Sequence, residues 1–244
     1  MNVRHISIVF LLLFFCNCSN TTEKKELYEN GVLKALYHVD KNEKKEGKAQ
    51  MYYPDGSLKF EGEFKSDLIN GKATIHDENG DITEIATYSQ GKLHGVFEKY
   101  YPGGKLKAKM NYSNDKIEGT AYSYYESGVT NIEEQYLNGV LDGLSKHYYE
   151  DGKLYAEIMY KNGLKDGGYK LYNKNGTLSE KGSYLDNKLN GKVELFNESG
   201  NPVVTGTYLN GIKDGVWEII NEDGTKSTVH YEDGEIKDST NVSL

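Results

Sequence analysis

The sequence predicts an all-β chain, an elongated antiparallel array of about eight β-hairpin repeats of 24 residues each. Three registers carry that reading. Gly47, Gly71, Gly95, Gly119, Gly143, Gly167, Gly191 and Gly215 recur every 24 residues, and Gly56, Gly80, Gly104, Gly128, Gly152, Gly176, Gly200 and Gly224 keep step nine residues later. An aromatic series runs Phe64, Tyr88, Tyr112, Tyr136, Tyr160, Tyr184 and Tyr208, with Tyr231 one residue early in the last unit. Self-similarity at a fixed period of this size is the signature of a repeat architecture.

Within a unit the order is Gly, four mixed residues, an aromatic pair, two turn residues, Gly, then a second run ending in Tyr, as in Gly143-Leu-Ser-Lys-His-Tyr-Tyr-Glu-Asp-Gly152. Asp151-Gly152, Asp55-Gly56, Asn79-Gly80, Asn175-Gly176 and Asp223-Gly224 are dipeptides that tolerate φ > 0 and close tight hairpins. A second turn, such as Asn138-Gly139 or Asn210-Gly211, connects each unit to the next. No helical stretch intervenes, so eight units give about sixteen strands, extending on the order of 75 Å. A lone hairpin is marginal in water, and stability must therefore accumulate from neighbour to neighbour.

The ends are read from composition. Arg4 and His5 lead into an apolar run, Ile6 to Phe15, that stops at Cys16-Asn17-Cys18. The run is too short to span a bilayer and has the layout of a secretory signal peptide. The expected division is a signal peptide at 1–17, a lipidated polar tether at 18–30, a degenerate half-repeat with a charged linker at 31–46, eight repeats at 47–238 and a tail at 239–244. Asn30-Gly31-Val-Leu-Lys-Ala-Leu-Tyr37 would cover the first edge, and Ile236 to Leu244 would blunt the last.

Composition also excludes function classes. Both cysteines lie in the leader, leaving no thiol in the body for a disulfide, a metal site or covalent catalysis. Arg4 is the sole arginine, so without the leader 28 Lys face 37 Asp plus Glu. Such a surface repels nucleic acid and lacks the guanidinium fork that grips phosphate. Tyr reaches 21 copies and Gly 27, a mixture suited to thin aromatic-rich sheet with many turns.

The residues Tyr148-Tyr149-Glu-Asp-Gly152-Lys-Leu154 and Tyr160-Lys-Asn-Gly163-Leu-Lys-Asp-Gly167 resemble the variant form of the MORN repeat, a two-stranded unit found in tandem in many bacterial proteins. The likeness covers about residues 31 to 238. It implies the hairpin array, and protein or membrane-surface binding. Members are often labelled antitoxins of the YwqK kind, a role at odds with an export signal. His76-Asp77 replaces the aromatic pair in unit two, and Asn173, Asn197 and Asn221 replace its second member in units six to eight. The leader likewise resembles that of bacterial lipoproteins, in which the cysteine ending the apolar segment is acylated with chains such as palmitate. Cys18, preceded by the small polar Asn17, fits that place better than Cys16 behind Phe15.

Neighbouring side chains on a strand point to opposite faces, so an aromatic pair cannot be core twice. The first member (Tyr52, Tyr100, Tyr124, Tyr148, Tyr172, Phe196) reads as structural. The second, Tyr53, Tyr101, Tyr125 and Tyr149, is the candidate binding surface, with rings about 10 Å apart in consecutive units. Covering the neighbouring strands is the plainer role for the same rings. No catalytic residue, metal site or cofactor is expected: the six histidines show no ligand spacing. Glu118, Asp142, Asp166, Asp214 and Asp238 stand where turn chemistry explains them, with calcium the weaker explanation. Gly103-Gly104-Lys105 lacks the helix and the Ser/Thr of a phosphate loop. The functional expectation is a non-enzymatic envelope lipoprotein, held to the membrane by Cys18, that binds an unknown protein partner. The alternatives are an antitoxin or immunity-type inhibitor and a structural envelope protein that self-associates.

Overall fold

The computed structural model describes residues 20–242. These form 23 strand segments in a single sheet, and no helix occurs among the described residues. Every pairing is antiparallel and joins strands adjacent in the chain, from Thr22–Leu27 against Leu33–Val39 to Lys226–Glu232 against Glu235–Val242. Four segments, Leu68–Ile69, Lys116–Ile117, Val140–Leu141 and Lys188–Leu189, are two-residue starts of the strand that follows each of them. The architecture is a meander of hairpins, as the 24-residue period predicts.

Two kinds of turn alternate, and they divide the glycines differently from the sequence reading. Inside a unit the loop has three residues: Gly152 N–H donates to Tyr149 O (2.9 Å) and Tyr149 N–H to Lys153 O (2.8 Å), with Gly152 alone at φ +85°. Asp151 keeps a negative φ and caps the turn from its side chain, accepting Lys153 N–H at 3.0 Å. The two-residue turn with both positions left-handed, the usual device for tight hairpins, lies between units. There Asn138 and Gly139 take φ of +54° and +83°, and Leu137 pairs with Val140. Asn tolerates this region because its short amide bonds locally, whereas a branched side chain does not.

The strand after each connecting turn carries a bulge. Tyr136 pairs with Leu141 but Glu133 pairs with Lys146, so two extra residues are absorbed on the second strand around Asp142 and Gly143. Asp142 N–H still finds Gln135 O at 2.8 Å, and Gly143 takes φ +122°. The first glycine series marks this bulge, which strengthens local twist.

One face of the sheet is apolar. Its central row runs Ala49, Ala73, Phe97, Ala121, Ser145, Tyr169, Val193 and Trp217, opposite Gly62, Ala86, Met110, Glu134, Ile158, Gly182, Gly206 and Val229. Large rings in this row face missing side chains. A Cβ at position 182 would stand 2.8 Å from a Tyr169 ring carbon, and one at 206 would overlap the Trp217 indole. Tyr169 and Trp217 are consequently only 4% exposed in a sheet one layer thick. Gly182 and Gly206 serve space, since neither has a positive φ.

The ends differ from the expected division. Residues 18–30, read as a tether, contain the strand Thr22–Leu27, which completes a full hairpin with Leu33–Val39 where a half-repeat was expected. The linker expected up to residue 46 is a short turn that ends before the strand starting at Lys45, and the tail continues as strand to Val242. Both outer strands, Thr-Glu-Lys-Lys-Glu-Leu and Glu-Ile-Lys-Asp-Ser-Thr-Asn-Val, are almost wholly polar. An edge strand needs hydrogen bonds on one side only and no buried face, so hydrophobic alternation does not announce it.

Gly206→Ala should lower stability by about 1–3 kcal/mol through overpacking. Urea unfolding would show the lower midpoint, and the emission of Trp217, the single tryptophan, should shift to the red as its ring is displaced.

Candidate binding surfaces

The four tyrosines singled out by sequence stand in one row beside the within-unit turns, each half-buried. Their hydroxyls reach the next unit: Tyr53 donates to His76 O (2.8 Å), Tyr101 to Tyr124 O (2.8 Å), Tyr125 to Tyr148 O (2.7 Å) and Tyr149 to Tyr172 O (2.9 Å). Tyr28 does the same toward Tyr52 O at 2.7 Å, extending the row into the first hairpin. The hydroxyls therefore staple neighbouring units while each residue stays half-buried. Lys59 lies over Tyr53, Lys107 over Tyr101 and Lys174 over Tyr149, at 5.2, 5.1 and 6.0 Å from the ring centroids. Tyr155, 43% exposed, adds a ring 5.1 Å from that of Tyr149. Sequence reasoning missed Tyr155 because it sits outside the repeated positions.

The first members of the aromatic pairs lie on the polar face. Tyr100 donates to Glu98 (2.8 Å), Tyr148 to Glu133 (3.2 Å) and Tyr172 to Glu157 (3.0 Å). Those glutamates belong to a cross-strand ladder, Glu98–Lys109–Tyr122–Glu133–Lys146–Glu157–Lys170–Lys181–Glu194, in which each residue is opposite the next. Ion pairs follow it at Lys109–Glu98 (2.9 Å), Lys146–Glu133 (3.5 Å) and Lys181–Glu194 (2.6 Å). Hydrogen bonds from Lys109 and Tyr100 hold the Glu98 carboxyl below the usual carboxylate range. Burial, then the bond to Glu98, pushes Tyr100 up to about 12. On the apolar face burial, helped by Glu134, does the same to Tyr136, also to about 12.

Two of the acids before the repeat glycines, Glu118 and Asp142, act as turn caps. Glu118 accepts Asn138 N–H (2.8 Å) and Asp142 accepts Asn162 N–H (2.9 Å), each twenty residues on. Asp238 instead faces His230 at 3.8 Å. Among the described residues no group of three or more His, Cys, Asp or Glu side chains is placed to hold a metal ion. His147 is half-buried beside the fully buried Ser145, 3.0 Å from its hydroxyl, and burial lowers its pKa. Cys18, the expected acylation site, lies outside the described residues.

Tyr125→Phe should cost about 0.5–1.5 kcal/mol, because Tyr148 O loses its donor; chemical denaturation would measure it. The tyrosines set an alkaline limit as well. The unfolded chain releases phenolic protons near 10.0 while Tyr100 and Tyr136 in the folded sheet hold theirs to about 12. In that window the unfolded state binds fewer protons, so stability falls as pH rises. Sheet signal should be lost between these values, and the tyrosinate absorbance belonging to Tyr100 and Tyr136, read as the difference from a chain with both replaced by Phe, should rise with that loss.

The MORN repeat variant model matches residues 45–66, 93–114, 117–138, 141–162 and 189–210, and the MORN repeat model matches 60–82. No curated protein matches the chain. Among solved structures, one titled "Crystal Structure of TcdB2-TccC3-Cdc42" aligns at 13% identity over 90% of this chain and 14% of that one, with a TM-score of 0.23. One titled "Crystal Structure of TcdB2-TccC3" aligns at 14% identity over 90% of this chain and 16% of that one, also at 0.23. The period, the hairpin meander and the matched segments agree: this chain is a repeat protein that carries MORN-variant repeats.

Proposed function

We propose that the chain is a non-enzymatic lipoprotein of the bacterial cell envelope, anchored through Cys18, whose β-array binds a partner protein by contact. The observation that carries the binding reading is the repetition of the same side chains along one sheet. The Tyr53, Tyr101, Tyr125, Tyr149 row offers half-buried rings, three of them with a lysine over the face, held by hydroxyl bonds to the next unit. Rigid amphipathic rings bring contact area at small entropic cost. The apolar run Ile6 to Phe15 before Cys16-Asn17-Cys18 supports export and the anchor.

Two readouts test this on the protein expressed in a bacterial host. The intact mass of the membrane-extracted chain should begin at Cys18 with added acyl mass, and Cys18→Ala should remove both; a chain retaining Met1 would sink the anchor. A photo-crosslinker in place of Tyr155, beside Tyr149, should join the chain to one discrete second protein, competed away by unlabelled chain. Crosslinks only between copies of this chain would replace the reading by self-association, and no crosslinks at all would overturn it.

A further inference from the structure

The polar face has one break in its pattern. The position just after each repeat glycine carries Lys48, Lys72, Val96, Thr120, Leu144, Lys192 or Val216, but Gly168 in unit six. Its cross-strand partner there is Ser183, where other units have longer side chains such as Glu63, Gln135 and Met159. Nothing in the fold requires a glycine at 168: its φ is not positive, and an added Cβ would meet only Gly182 O, at 3.9 Å. The pair opens a groove of about 600 Å³. Leu144 and Met159 wall one side and Lys192 the other.

The charge ladder breaks at the same place. Lys170 and Lys181 stand directly opposite each other, a like-charge pairing that a sheet ordinarily avoids. With Lys192 they put three ammonium groups on the groove, against the carboxylates of Glu157 and Glu194. Glu157 holds Lys170 at 3.8 Å, while Glu194 is shared by Lys181 (2.6 Å) and Lys192 (2.8 Å). One cation is left over, in a chain whose net charge is −8. The groove between the strands Lys45–Tyr52 and Leu58–Lys65, on the same face, has Lys48 and Lys72 balanced by Glu61 and Glu63 and shows no such excess.

We propose that the Gly168–Ser183 groove binds a partner protein's acidic peptide segment, an aspartate or glutamate carboxylate with an adjacent apolar side chain. The apolar residue sits on Leu144 and Met159, over the gap left by Gly168. The carboxylate takes the unpaired charge shared by Lys170, Lys181 and Lys192. A single carboxylate matches the excess of one, and ammonium groups suit it without the bidentate geometry that arginine gives to phosphate. This inference rests on the protein-binding reading above and names the chemistry of that partner.

The test titrates the isotope-labelled full chain with acetyl-Ala-Leu-Glu-Leu-Ala-amide and follows the backbone amides of Gly168, Gly182 and Ser183. Saturable shifts confined to the groove are expected, at least tenfold weaker with Gln in place of Glu. Gly168→Leu, which fills the groove without backbone strain, should abolish them while leaving the rest of the spectrum in place. Lys181→Glu should weaken binding at least tenfold and Lys181→Arg should retain it. Equal binding by the Gln peptide, or by the Gly168→Leu chain, overturns the proposal. So does binding of octanoate without the peptide, which would assign the groove to a free amphiphilic acid. Should the Tyr155 crosslink to a partner persist undiminished in Gly168→Leu, the binding reading stands and the groove proposal falls.

Discussion

Each connecting turn of this protein hangs from the turn before it. Gly139 N–H donates to Ile117 O at 2.8 Å, Gly163 to Leu141 O at 2.8 Å and Gly211 to Leu189 O at 2.7 Å. Those bonds exist only because the turn residues, Asn138-Gly139, Asn162-Gly163 and Asn210-Gly211, accept a left-handed backbone at both positions. Where the turn lacks glycine, as at Ser66-Asp67 and Asn114-Asp115, the polar side chain adds a bond. Asp67 accepts Lys45 N–H and Asp115 accepts Leu93 N–H, both at 2.8 Å. A single-layer sheet has little apolar volume to bury, so this backbone ladder sets the spacing on which everything else is arranged.

At the opposite edge of the sheet the tyrosine hydroxyls do comparable work, bonding main-chain carbonyls one unit away. The two edges together fix successive hairpins in register. Between them, each face is free to vary in composition while its rows stay aligned. On the apolar face this freedom appears as exchange of volume: Ala73 meets Ala86, whereas Trp217 meets the space above Gly206. On the polar face it appears as exchange of charge, with Glu98 opposite Lys109 in one unit and Lys170 opposite Lys181 in another. A recognition surface built in this way gains specificity from departures within a regular lattice of side chains.

The tyrosines illustrate how far residue patterns reach. Alternation along a strand would put the first member of each aromatic pair on the packed face, yet Tyr100, Tyr148 and Tyr172 bond glutamates of the polar face, and the second members lie just past the strand ends, where alternation no longer governs direction. It does not say which member bridges units. Tyr125 begins the loop, where the chain turns toward its neighbour, and that geometry sends its hydroxyl to Tyr148 O. Tyr124, one residue earlier, instead stacks on Tyr122 with centroids 6.3 Å apart.

The residue pattern alone reveals the repeat, its length, the all-β class and the places of both turns, because glycine and short polar residues at fixed intervals can be read without knowing what lies opposite. It misjudged the polar outer strands Thr22–Leu27 and Glu235–Val242, whose one-sided hydrogen bonding leaves no apolar alternation to read. Which residues face each other across strands is visible only in the folded sheet. The Gly168–Ser183 gap, the Lys170–Lys181 pairing and the Trp217–Gly206 fit depend on register between residues eleven to fifteen positions apart. Register is set by turn length together with a bulge, and a shift of one residue would send every one of those side chains to the other face.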